Sequence, residues 1–200
     1  MTESSAAIPT FKIIFVGDTC ANKTSIINCY HHKRAFCDDA APQTVGAAYI
    51  RDNVSTKSGN CVFEIWDTAG SEKYRSLAPM YYKKSHAIVI AVNANTEGQF
   101  ESLQNWLDSS NEQKESDDTL IVIAAVYSAN ENLVELDKIK NFSDEHKLPM
   151  FQLQFNNIDQ ISQMFDFIAT RLLEKAPSQS THPESSGGEE QDQKKTCSIY

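Results

Sequence analysis

Two hundred residues are enough for one ordinary domain with its own core and a tail. Forty per cent hydrophobic and 22% charged residues are normal for a globular chain, and a formal net charge of −9 disfavours a polyanion such as nucleic acid as partner. The five cysteines are scattered with no C-x-x-C pair, which supports neither a disulfide framework nor a metal cluster, and no apolar run reaches the ~18 residues of a membrane span.

In chain order, the opening "MTESSAAIPT" has neither a charged n-region nor an apolar h-region, so residues 1–10 are expected to be a flexible lead-in without a secretory signal. "FKIIFV" (11–16) is β-branched and aromatic and predicts a strand that ends at Gly17. "GDTCANKT" (17–24) follows. The phosphate-loop pattern G-x-x-x-x-G-K-[ST] is met at Gly17, Lys23 and Thr24, with Asn22 in place of the second glycine. Asn is the non-glycine residue that best tolerates positive φ, so the loop is expected to keep its shape with some strain or crowding.

A helix is expected from about Lys23. At such a strand-to-helix turn, backbone N–H groups point inward and the helix N-terminus adds partial positive charge. Lys23 would place its ammonium on the outer phosphates, and the Thr24 hydroxyl would ligate Mg²⁺. Asp18 and Asn22 belong to the same cradle.

Thr44, in "PQTVGAAY", lies on a long loop before the second strand. It could close over Mg²⁺ and a γ-phosphate, or be an ordinary β-branched strand residue. "CVFEIWD" (61–67) predicts another strand, and "WDTAG" at its end offers Asp67 to hold Mg²⁺ through water and Gly70 to bring an N–H to a terminal phosphate.

"AIVIAV" (87–92) and "TLIVIAAV" (119–126) are continuous apolar runs, as in central strands covered on both faces. "PMFQLQF" (149–155) alternates and predicts a strand nearer an edge. Between them, Phe100, Leu103 and Leu107 recur at helical spacing, and Ile158, Ile161, Phe165, Ile168 and Leu172 do so again. Strands alternating with helices predict an α/β fold with a parallel sheet and a ligand site beyond the strands' carboxyl ends. From Ala176 the chain turns to Pro, Ser, Gly and charge, and residues 176–200 read as a disordered tail after a domain of 11–175.

Together, "TVGAAY", "FEIWDTAGSEKYRSLAPMYYKKSHAIVIAV" and "NWL" resemble the Rab family of Ras-like small GTPases, and its early-endosomal branch most. The resemblance implies the P-loop NTPase fold, a six-stranded, mostly parallel sheet flanked by helices with only the second strand antiparallel. It implies a GTP/GDP switch with Mg²⁺ that works with effector proteins, an exchange factor and a GTPase-activating protein in vesicle traffic. By position, Gly17, Lys23 and Thr24 match the phosphate and Mg²⁺ site, Thr44 the γ-phosphate sensor, and Asp67 and Gly70 the start of the second switch. Phe36 falls near the aromatic that lies against guanine. Tyr49, Trp66 and Tyr81 match an aromatic cluster presented to effectors; plain core packing is the other reading of those three.

Three positions depart from the family pattern. Ser71 stands where a glutamine orients the attacking water, and it is too short to do so, which predicts slow intrinsic hydrolysis. The guanine-reading N-K-x-D is replaced within "VYSANENL": one register gives Ser128 to Glu131, keeping an acid, the other Ala129 to Asn132, without one, and neither keeps the lysine. The S-A-K loop after the last strand has no counterpart in "FQLQFNN". Phosphate and Mg²⁺ recognition is therefore expected to persist while base recognition is eroded. That leaves two other readings open, a non-hydrolysing interaction module and a site for other purine nucleotides.

Cys197, in "CSIY", has the spacing of a C-terminal prenylation box with atypical neighbours. A single lipid gives marginal, reversible attachment, so a cytoplasmic protein cycling with endosomal or vesicle membranes is expected.

Overall fold

A computed structural model describes residues 7–35, 43–71, 74, 78–128 and 135–176. Among these, six strands and five helices alternate: β1 (Thr10–Val16), α1 (Lys23–His32), β2 (Ala47–Thr56), β3 (Gly59–Thr68), α2 (Ala78–Tyr82), β4 (Ala87–Asn93), α3 (Gln99–Gln113), β5 (Leu120–Tyr127), α4 (Leu136–His146), β6 (Met150–Gln154) and α5 (Ile158–Lys175). The strand order is β2-β3-β1-β4-β5-β6. Only the β2–β3 pair is antiparallel, a hairpin turning at Lys57 and Ser58. The expected fold class is what is found.

The continuous apolar runs follow from double coverage. Successive side chains of β1 point to opposite faces, so Ile13 and Phe15 join the core under α1 and α5 while Ile14 and Val16 join that under α3 and α4. On the first face Ile161, Phe165, Ile168 and Leu172 of α5 are buried, and Phe165 stacks on Tyr30 of α1 with ring centroids 3.7 Å apart. On the second, Leu103, Trp106 and Leu107 of α3 meet Ile139 and Phe142 of α4. β6 pairs with β5 and lies at the sheet edge, as its alternation predicts. β1 ends at Val16, paired to Ile90 of the neighbouring central strand β4, and the phosphate-loop candidate leaves the sheet there.

Candidate functional site

Two backbone features shape the turn after β1. Gly17 has φ +139° and sits so close to the Ala91 backbone of β4 that a Cβ would collide with it. Asn22, at the position of the missing glycine, takes φ 54° and ψ 29°, the left-handed conformation, as expected from its chemistry. It precedes α1 with no side-chain cap, so the side chain does not close the helix N-terminus. Within the turn, Ala21 N–H donates to the Asp18 carbonyl at 3.1 Å.

Lys23, 5% exposed, folds its ammonium into this turn and donates to the carbonyls of Gly17 and Asp18, each at 2.8 Å. Burial pulls its pKa down to about 8 against the opposing pull of the Asp67 and Asp18 charges. A buried cation whose hydrogen-bond partners among the described residues are carbonyls is poised for an anion.

Thr24, Thr44 and Asp67 converge beside it from α1, the segment before β2, and β3. The Thr24 hydroxyl donates to Asp67 Oδ2 at 2.7 Å, the Thr44 hydroxyl to the same oxygen at 3.1 Å, and the two hydroxyl oxygens lie 3.0 Å apart. Asp67 is 2% exposed, and its Oδ1 has no hydrogen-bond partner among the described residues. Burial raises its pKa despite the Thr24 hydroxyl and the Lys23 charge. Two hydroxyls and a desolvated carboxylate with a spare oxygen form a hard oxygen donor set, and it fits Mg²⁺. Gly70, just beyond, packs against the Asp18–Thr19 peptide.

Asp18 turns its carboxylate out of the turn and onto α3, so its own contribution to the cradle is its carbonyl. Ser71 is half-buried, and its carbonyl accepts the Tyr74 N–H at 3.0 Å. Ser128 follows β5, with its N–H on Asn95 Oδ1 at 2.7 Å. Phe36, Glu131 and Cys197 lie outside the described residues.

Tyr49 on β2, Trp66 on β3 and Tyr81 on α2 form one row, with centroids 5.4 Å apart for the first pair and 5.8 Å for the second. Tyr49 is 48% exposed, while Trp66 and Tyr81 are half-buried and pack against the core under α3 and α4, so the row runs from core packing to a partly open surface.

Sequence reasoning missed Glu135. Only 4% exposed, it accepts the N–H groups of Gly98 at 3.2 Å and Phe100 at 2.7 Å, closing the N-terminus of α3 from another element. Burial alone would raise its pKa, but the bonds from Phe100, Gly98 and Lys138 together hold it below the usual glutamate value. No local pattern around Glu135 signals this, because the two N–H groups that it caps lie more than 30 positions away.

The family model for the Ras family matches residues 12–174. A similar protein is the GTP-binding protein YPT53 of Saccharomyces cerevisiae, 31% identical over 201 residues, an alignment covering 92% of this chain and 86% of the yeast protein.

Proposed function

Because the chain belongs to the Ras family of small GTPases, we propose that it is a Rab-like switch that binds GTP and GDP with Mg²⁺ and hydrolyses GTP slowly. The observation that carries this reading is the convergence of Thr24, Thr44 and Asp67, all within 3.1 Å hydrogen bonds, beside the Lys23-closed turn.

Lys23 and the inward N–H groups of the turn would hold the phosphates, and Gly70 would bring its N–H to the terminal one. Thr24 and Thr44 would hold Mg²⁺ directly, with Asp67 acting through water. Mg²⁺ held there would supply charge neutralisation for the phosphates. Thr44 belongs to the segment before β2, so its contact with that site would tie the segment's position to the presence of a γ-phosphate. Ser71 leaves the attacking water without a side chain long enough to orient it, which supports slow intrinsic turnover. A GTPase-activating protein could supply the missing groups in trans.

The partly open row Tyr49, Trp66 and Tyr81 supports an effector surface across β2, β3 and α2, since aromatics are common interface anchors. Vesicle traffic, the early-endosomal branch, an exchange factor and reversible membrane attachment through Cys197 complete the reading, on the resemblance of the sequence. No helix among the described residues is long and apolar enough to cross a membrane.

The experiment is to denature the purified protein and identify the released nucleotide by chromatography, with and without Mg²⁺. Near-stoichiometric GDP or GTP is expected. A folded but empty protein that also ignores added GTP would refute the switch.

A further inference from the structure

Asp18 raises a physical problem that its neighbours answer. It is a carboxylate inside a phosphate-binding turn, one residue after Gly17, and its charge is felt by Lys23. Left free, such a group competes with phosphate for the Lys23 ammonium and repels the phosphate itself.

Three donors from one face of α3 hold it away. Ser102 Oγ donates to Oδ2 at 2.6 Å and Trp106 Nε1 to Oδ1 at 2.9 Å, while Gln99 Nε2 lies 3.5 Å from Oδ2. Residues 99, 102 and 106 follow the i, i+3, i+7 spacing that brings side chains to one helix face. Both carboxylate oxygens are thus engaged, and hydrogen bonds to a charged acceptor are the stronger kind.

The helix is itself fixed. Glu135 closes its first turn through Gly98 and Phe100. Further along, Ser110 Oγ donates to the Trp106 carbonyl at 2.7 Å and lies 3.3 Å from the hydroxyl of Tyr82, the last residue of α2.

We propose that Ser102 and Trp106 are positioning residues that restrain the Asp18 carboxylate on α3 and so keep the phosphate cradle free for its anion. Neither touches the nucleotide; both act through Asp18. The inference rests on the switch reading above, and the Tyr82–Ser110–Trp106 contacts link the restraint to α2.

The test uses the full chain loaded with a fluorescent N-methylanthraniloyl GDP and chased with unlabelled GDP in Mg²⁺ buffer. Ser102→Ala with Trp106→Phe removes both strong donors while keeping a ring in the core. Release is expected to quicken about tenfold, the equivalent of one lost charge-assisted bond. Adding Asp18→Asn removes the stray charge and is expected to restore slow release. A role in packing alone would not be rescued in this way. Release within twofold of the unaltered protein, or acceleration that Asp18→Asn does not reverse, overturns the proposal.

Where the double variant does not fold, each single variant is read by the same two criteria, with about threefold acceleration expected. An unaltered protein that takes up no labelled GDP refutes the switch reading instead. The restraint is then read by the thermal shift with inorganic triphosphate, expected to be lost in the double variant and regained with Asp18→Asn; equal shifts in all three overturn it.

Discussion

Replacing Gly70 by alanine tests a close approach between two backbone segments of the site. A Cβ there would stand 2.7 Å from the Asp18 carbonyl oxygen and closer still to Asp18 C and Thr19 N, where ordinary van der Waals contact begins at 3.4 Å. The exit of β3 and the phosphate turn must therefore part by roughly 1 Å. All three neighbours are backbone atoms, so no side chain can rotate away. The φ of Gly70 lies outside the left-handed range, so the cost is steric and not conformational.

Overpacking of this kind typically costs about 1–3 kcal/mol. For a domain of this size each kcal/mol lowers Tm by roughly 2–4 °C. Circular dichroism melts of nucleotide-free protein in EDTA should then show Gly70→Ala melting roughly 2–12 °C below the unaltered protein. Gly98→Ala is the contrasting variant, since its φ is +81° and a Cβ would meet nothing within 4 Å, which leaves only a left-handed penalty of about 1–2 kcal/mol. Nucleotide binding separates them further: Gly70→Ala should weaken GTP more than GDP, and Gly98→Ala should weaken both little. A Gly70→Ala protein melting within ~1 °C of the unaltered one would refute the reasoning.

Asn22→Gly should leave Tm nearly unchanged, because the left-handed φ suits glycine and no side-chain cap is lost, whereas Asn22→Val should cost about 1–2 kcal/mol in urea unfolding. Glu135→Gln weakens a charged cap and should destabilise by about 1–2 kcal/mol near neutral pH. Because the folded pKa of Glu135 lies below its ordinary 4.5, its contribution is present above that value and is lost as pH falls through the folded pKa; the gap between variant and unaltered Tm should close over that acidic window. Ser71→Gln should raise the single-turnover GTP hydrolysis rate at least several-fold, and equal rates would remove Ser71 as the cause of slow turnover.

The sequence by itself determined much of this protein. The apolar runs of β1, β4 and β5 marked the sheet centre because strands covered on both faces cannot alternate. The φ of Asn22 and the run Gly17, Lys23, Thr24 were legible because they depend on neighbours within one turn of chain. The helices α2 and α4 were not: α2 has five residues, too few for a period, and in α4 only Ile139 and Phe142 are buried apolar residues.

Tertiary structure alone decided how distant polar groups pair. Asp67 receives Thr24 from 43 positions away, and Asp18 receives Ser102 from 84 and Trp106 from 88. Hydropathy periodicity records which face of an element is buried, but a hydrogen bond across the fold depends on where two backbones come to rest. That position is set by the sum of all packing in between, so the same Asp18 reads as a phosphate-loop residue in sequence and becomes an anchor on α3 only in the folded chain.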